Sequence, residues 1–199
     1  MNYEIVVATS NKHKMSEYRA LIKGLPITLY SLSDLGITSN VIEDGSTYKA
    51  NALLKAEAIK KYTTLPILSD DSGLEISFLG EHFPGLYTSR YAASCGGQTK
   101  TNEFLSKEAI KYPTNKAIFY CTIVLLNIED NPLVFEGQVE GKISSKIEGE
   151  NGFGYDPIFI GDKFDKSFGA LSEEIKNANS HRAKAFKKFI TYLKISKLI

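Results

Sequence analysis

Leu65-Pro66-Ile67-Leu68-Ser69-Asp70-Asp71-Ser72-Gly73-Leu74 places two adjacent carboxylates at the end of a short apolar run. The run predicts a buried strand, and acids at the end of such a strand are costly to desolvate unless a cation or hydrogen-bond donors meet them. A hard ion such as Mg²⁺ is the usual solution, because it takes oxygen ligands and bridges to phosphates. Asp, Ser and Gly are also common turn formers, so a solvated turn between two strands is the competing reading. Other stretches bear on the choice. Asn11-Lys12-His13-Lys14 opens a helix, where helix-end N–H groups and lysines suit a phosphate. It lacks the glycines and the Gly-Lys-Ser/Thr ending of a Walker loop, and a basic, solvated helix start is the alternative. Glu43 stands just ahead of a second helix, in which Asn51 and Lys55 are four apart and share a face. Taken alone they also read as an acid favoured near a helix N-terminus and a solvated lysine.

Two stretches in the C-terminal third suit a flat ligand. Gly152 and Gly154 flank Phe153 and let the backbone hold its ring at an unusual angle. An aromatic ring on such a loop is a stacking platform for a base, or else it closes the core beneath the loop. Ser180-His181-Arg182 opens the last helix, and a serine cap gives both side chains a defined direction. The alternative for His181 is a purely structural role.

These residues need elements to position them. Tyr3 to Ala8 is β-branched and apolar and predicts a first strand, followed by a helix capped by Ser10 or Asn11 with Met15, Tyr18, Leu21 and Ile22 on one face. Ile27 to Tyr30 predicts a second strand, and Ser31 to Gly36 a loop. A helix is expected from Thr47 to Tyr62, with Tyr48, Ala52, Ala56 and Ile59 inward. Leu74 to Leu79 predicts a further strand or hairpin arm. His82 to Tyr91 predicts a turn leading into a short helical piece, which Cys95-Gly96-Gly97 breaks. Thr99 to Tyr112 predicts a helix with Phe104, Leu105, Ala109 and Tyr112 inward. Ala117 to Leu126 is nearly continuously apolar, as expected of a central strand covered on both faces. Leu133 to Ile143 alternates cleanly, with Leu133, Phe135, Val139 and Ile143 opposite Glu136, Gln138, Glu140 and Lys142, and the two segments predict an antiparallel hairpin. Pro157 to Ile160 predicts a last strand and Ser172 to Ala178 a short helix. The final helix carries an apolar stripe of Ala185, Phe186, Phe189, Ile190 and Leu193; its lysines read as a solvated face.

Composition narrows the function classes. A formal net charge of +1 on 199 residues gives no general electrostatic case for nucleic acid or membrane, so an anion site must be local. Apolar content of 43% and charged content of 24% are ordinary for a soluble globular protein. Cys95 and Cys121 form no C-x-x-C pair, which fits a reducing compartment. Neither a signal peptide nor an apolar run near the roughly 20 residues of a membrane span is legible. A cytoplasmic, mixed α/β protein is expected, one domain over 1–199 with room for two lobes.

Thr9-Ser10-Asn11-x-x-Lys14, Glu43, Asn51-x-x-x-Lys55, Ser69-Asp70-Asp71-Ser72-Gly73-Leu74, Pro84-Gly85-x-Tyr87-Thr88-Ser89-Arg90-Tyr91, Gly152-Phe153-Gly154-Tyr155-Asp156-Pro157 and Ser180-His181-Arg182 follow one another in a single chain. In order and spacing this resembles the inosine triphosphate pyrophosphatase family, over nearly the whole length. The resemblance implies an α/β fold with a long curved mixed β-sheet flanked by helices, in two lobes with an active-site cleft between them, and a homodimer. It implies a Mg²⁺-dependent enzyme that splits ITP, dITP or XTP into the monophosphate and pyrophosphate and so clears deaminated purines from the nucleotide pool. It implies Glu43 and Asp71 as metal ligands, Asp71 also as the proton acceptor for the attacking water, and Asp70 as a further ligand or a holder of water. Thr9, Ser10, Asn11, Lys12, His13, Lys14, Lys55 and Ser72 then face the triphosphate. Phe153, Gly154, Tyr155, Asp156, Lys176, His181 and Arg182 form the base pocket, with His181 and Arg182 donating to the oxo edge. Ser10 and His13 depart from the glycines usual at those two places. A related enzyme of modified pyrimidines or dUTP-like substrates, and a nucleotide-binding module without catalysis, are the other readings.

Overall fold

A computed structural model describes residues 2–199. The elements in chain order are β1 (Tyr3–Val7), α1 (Lys12–Leu21), β2 (Ile27–Ser31), α2 (Tyr48–Ile59), β3 (Ile67–Ile76), β4 (Pro84–Gly85), α3 (Thr88–Ser94), α4 (Gln98–Ala109), β5 (Lys116–Leu126), β6 (Leu133–Ile143), β7 (Phe159–Gly161), α5 (Glu173–Asn179) and α6 (His181–Ile195). The strands form one seven-stranded mixed sheet in the order β2-β1-β3-β5-β6-β7, with β4 paired to β3. β1 runs parallel to β2 and β3, whereas β4 on β3 and β7 on β6 are antiparallel.

The chain divides into two compact units. The first comprises Met1–Asp71, Cys121–Gly137 and Arg182–Ile199, and the second Ser72–Tyr120 and Gln138–His181. The first unit has apolar packing on both faces of β1. Ile5 and Val7 join Met15 and Tyr18 of α1 and Phe186, Phe189 and Leu193 of α6. Val6 joins Ala52, Ala56 and Ile59 of α2 on the other side. The predicted stripes of α2 and α6 are therefore the buried ones, except that Tyr48 and Ile190 are only half-buried. In the second unit Leu74, Ile76, Leu105, Phe119, Val139, Ile143, Phe159 and Phe168 form the core.

The main departure from expectation lies at the acids. Asp70-Asp71-Ser72-Gly73 is not a turn, and Leu74 does not begin a separate arm. β3 runs without a break from Ile67 to Ile76 and closes in a 3₁₀ turn at Ser77–Leu79. Turn propensity is overridden because the buried polar side chains here find partners in the tertiary structure, beginning with Ser69, whose hydroxyl donates to the Ala52 carbonyl at 2.6 Å, and continuing with Asp70 Oδ2 and both oxygens of Asp71. Smaller differences follow the same logic of burial. The second predicted helix ends at Ile59 and tightens into a 3₁₀ turn at Lys60–Tyr62, and the loop after β2 contains a 3₁₀ turn at Ser33–Leu35. Phe104 and Tyr112 are exposed: α4 ends at Ala109, short of the expected Tyr112, and turns Thr101, Asn102, Leu105, Ser106 and Ala109 inward instead.

Candidate active site

Adjacent residues of a strand project to opposite faces. Asp70 and Asp71 therefore have different hydrogen-bond partners, although the charges of Lys14 and Lys55 act on both.

Asp70 lies on the same face as Leu68, toward α1 and α6. Its Oδ2 accepts from Lys14 Nζ at 2.9 Å and from Arg182 at 3.3 Å (Nε) and 3.1 Å (Nη2). The Cys121 thiol donates to the same oxygen at 3.8 Å. Arg182 Nη1 donates to Glu17 of α1 at 2.5 Å. Arg182 is the largest fully buried side chain, and only its carboxylate neighbours make that tolerable. Burial opposes the charge on Asp70, but Lys14, Arg182 and Lys55 outweigh it and hold the carboxyl well below the usual range. Arg182 is likewise opposed by burial and held protonated by Asp70 and Glu17. Among the described residues Asp70 Oδ1 has no hydrogen-bond partner.

Asp71 faces α2, and its environment is different. Asn51 Nδ2 donates to its Oδ2 at 3.1 Å and Lys55 Nζ to its Oδ1 at 3.4 Å. Lys55 also donates to Glu43 Oε2 at 2.8 Å. One turn of α2 thus presents an amide and an ammonium to the same carboxylate, the helical neighbours that the spacing of Asn51 and Lys55 predicts. Asn51 Oδ1 accepts the Gly45 amide at 2.8 Å, which ties the loop carrying Glu43 to Asp71. Burial raises the Asp71 carboxyl, and the pull of Lys55, Lys14 and Asn51 does not cancel it. Two neighbouring acids are thus driven in opposite directions: Asp70 is a fixed anion, and Asp71 is the better proton acceptor.

Thr9 to Lys14 connects β1 to α1. The Asn11 side chain caps the helix, accepting from His13 N at 2.9 Å and Lys14 N at 3.2 Å, and Thr9 Oγ1 accepts from Asn11 N at 3.2 Å. The cap occupies those two amides, so an anion here is met first by side chains. Lys12 and His13 are exposed, as is Ser10, while Lys14 reaches back to Asp70. Ser72 is half-buried, the next residue of β3 after Asp71.

In the second unit a loop gathers the aromatic and its neighbours. Asp156 Oδ2 accepts the Phe153 amide at 2.8 Å and the Lys176 ammonium at 2.5 Å. The same ammonium stands 5.1 Å from the centre of the Phe153 ring, a cation–π contact. Gly152 is at φ +78°, and a Cβ there would run into the Asp156 carboxylate and Lys176 Nζ. Tyr155 is buried with its hydroxyl donating to the Thr88 carbonyl at 2.9 Å. The His181 ring is buried and stacks on Phe119 at 4.5 Å, nearly coplanar at 8°.

Two groups of expected residues are thus brought together. Lys14, Glu43, Lys55, Asp70 and Asp71 converge in the first unit, and Phe153, Asp156 and Lys176 in the second. Arg182, expected at the base, engages Asp70 and Glu17 through Nε, Nη1 and Nη2. Glu17 and Asn102 escape a reading of the sequence, and Asn51, singled out there with Lys55, is given no role of its own. Glu17 has one signal, its position three residues after Lys14 on one helix face; Asn51 has its spacing to Lys55; Asn102 has none.

The donor set suits a hard cation. Glu43 and Asp71 meet at one point, now bridged by Lys55, and Asp70 Oδ1 is a buried oxygen with spare lone pairs. Among the described residues no three His, Cys, Asp or Glu gather as a complete metal cage. Charge also favours a cation. The cations Lys14, Lys55 and Arg182 are outnumbered by the carboxylates Glu17, Glu43, Asp70 and Asp71. A polyphosphate needs further positive charge to settle beside them.

A sequence profile of the Ham1 family matches residues 5–192. The chain is 38% identical over 192 residues to the dITP/XTP pyrophosphatase of Thermoanaerobacter pseudethanolicus, with 96% of each chain covered. It is 36% identical over 199 residues to the dITP/XTP pyrophosphatase of Clostridium perfringens, covering 96% of this chain and 97% of that one. Among solved structures, a Ham1 protein from Coxiella burnetii is similar with a TM-score of 0.83 at 35% identity, over 98% of this chain and 99% of that chain.

Proposed function

The chain belongs to the Ham1 family, and from that premise we propose that it hydrolyses ITP, dITP and XTP to the nucleoside monophosphate and pyrophosphate. The observation that carries the chemistry is the strand-embedded acid pair, with Asp70 locked by Lys14 and Arg182 and Asp71 raised by burial beside Lys55 and Glu43. Asp71 takes the proton of the attacking water, a task that favours a carboxylate raised toward neutrality. Lys14 and Lys55 hold the phosphates and offset the charge that spreads over them in the transition state. Glu43 and Asp71, with Asp70 Oδ1 beside them in the chain, would hold Mg²⁺, which when bound supplies positive charge to the phosphate oxygens. Asp70 is too weak a base for the proton transfer and acts as the anchor that aims Lys14.

Base selection belongs to the second unit in this proposal. Phe153 offers a stacking face, and Lys176 and His181 offer donors to the oxo edge. Inosine and xanthine present O6 as an acceptor, whereas adenine presents an amino donor, and a buried donor left facing a donor discriminates strongly. For Arg182 to donate to the base as well, a carboxylate contact must give way. Arg182→Ala reports on this: as a base reader it lowers kcat/KM for ITP more than hydrolysis of tripolyphosphate, and an equal loss on both assigns it to the acids alone. We further propose a cytoplasmic homodimer, with both thiols kept reduced; among the described residues no helix is long and apolar enough to cross a membrane.

The test is a rate panel of ITP, XTP, dUTP, GTP and ATP, with Mg²⁺ and with chelator. Turnover of ITP and XTP far above ATP, lost on chelation, is the expected result. Equal rates on ATP and ITP contradict the proposal, and a preference for dUTP moves the chain to the pyrimidine reading.

A further inference from the structure

Asn102 lies 52 positions from the loop it touches and in no motif that points to nucleotide chemistry. It is buried on α4, and its Nδ2 donates to the Gly154 carbonyl at 3.0 Å. Its Oδ1 accepts from Gln98 Nε2 at 2.9 Å, one helical turn earlier. The amide orientation is fixed by this chain of partners, because the Gly154 carbonyl can only accept. Gln98 also hydrogen-bonds the Tyr155 hydroxyl, which in turn donates to the Thr88 carbonyl.

The loop needs such a restraint. Gly152 and Gly154 are both in the left-handed region, at φ +78° and +64°, so Phe153 sits between two residues with little backbone preference of their own. Asp156 holds the N-terminal side of that ring through the Phe153 amide. Asn102 holds the residue immediately after it. A carboxamide buried on a core-facing helix stripe costs desolvation unless it is used, and this one is used on the loop carbonyl and on Gln98.

We propose that Asn102, oriented by Gln98, is a positioning residue for base recognition: it clamps the Gly154 carbonyl and so fixes the Phe153 ring for stacking. This rests on the reading of the 152–156 loop as the base platform. It predicts that the clamp is felt in substrate affinity and only through Phe153.

The experiment is a double-mutant cycle on ITP hydrolysis with Asn102→Ala, Phe153→Ala and the pair, reading KM and kcat separately. Loss of a hydrogen bond that leaves its carbonyl partner unmet corresponds to an about tenfold rise in KM for Asn102→Ala, with kcat within about twofold. In the Phe153→Ala background the same change has less than about a twofold effect. An unchanged KM for Asn102→Ala, a fall in kcat equal to the fall in kcat/KM, or effects that multiply in full with Phe153→Ala each overturn the proposal. If Phe153→Ala itself leaves the KM for ITP unchanged, the platform reading fails first, whatever Asn102→Ala does. Should Asn102→Ala fail to fold, Gln98→Met removes the orienting amide and keeps Asn102. It is expected to raise KM by roughly threefold in the parent and not in Phe153→Ala, and no change in the parent overturns the proposal.

Discussion

Replacing Arg182 by Met tests whether the buried charges of the first unit are held as a set. The guanidinium is 1% exposed and meets Asp70 at 3.1 Å and Glu17 at 2.5 Å. Methionine fills much of the volume but leaves two carboxylates without this cation. Asp70 keeps Lys14 at 2.9 Å, so it is the less affected of the two. Breaking a buried ion pair by removing one partner costs about 3–5 kcal/mol. In a chain of this size each kcal/mol moves Tm by about 2–4 °C, so a fall of roughly 6–20 °C is expected. The pH dependence gives a second signature. In the parent protein the Asp70 carboxyl is depressed when folded, so its contribution is present above the unfolded value near 3.8 and is lost as pH falls below that toward the folded value. In Arg182→Met the Asp70 carboxyl loses one of the cations that depress it, so the variant gives up less stability as pH falls through the same range. Urea melts from about pH 5 down to about pH 2 should show the stability gap narrowing. Adding Glu17→Gln to the variant should recover part of the loss, because Glu17 is the carboxylate more affected by losing Arg182. A gap under about 1 kcal/mol, the value of an exposed pair, or a gap constant with pH, would refute the reasoning.

Further outcomes follow from the same geometry. Asp71→Asn removes the proposed proton acceptor while keeping an amide that can face Asn51 and Lys55, so kcat on ITP should fall by about 10²–10⁴ with little change in Tm; retained activity would show that the base lies elsewhere. Gly152→Ala forces a side chain into a left-handed backbone and against Asp156 and Lys176, so KM for ITP should rise while tripolyphosphate hydrolysis is spared, as steady-state kinetics on the two substrates will show. Burial and the neighbouring Asp70 push the Cys121 thiol up to about 12. At about pH 8 only about one such thiol in ten thousand is ionised, so a thiol reagent should label Cys95 in the native protein and Cys121 only after unfolding.

Much of this arrangement was legible because it is periodic or local. The alternation of Leu133 to Ile143 reappears as the burial pattern of β6, and Asn11 caps α1 as its position before the helix suggests. The spacing of Asn51 and Lys55 is a property of one helix and carries directly into their shared grip on Asp71. What was not legible depends on partners far away in the chain. Asp70-Asp71-Ser72-Gly73 reads locally as a turn, and it is a strand because Arg182, 112 positions on, and Lys14 meet Asp70. Once the strand is known, its two-residue period separates the acids and gives each a different environment, which the adjacent letters conceal. Phe104 was misplaced for a related reason: α4 buries Asn102 and Ser106, whose polarity hides them from a hydrophobic pattern.

The central claim is that Asp71 and its neighbours cleave a deaminated purine triphosphate in one step between the first and second phosphates. ³¹P NMR of ITP with Mg²⁺ and the parent protein tests it most directly. Equal amounts of IMP and pyrophosphate, with neither IDP nor orthophosphate, and no conversion by Asp71→Asn on the same timescale, is the predicted result. Appearance of orthophosphate with IDP, or full conversion by Asp71→Asn, would contradict it.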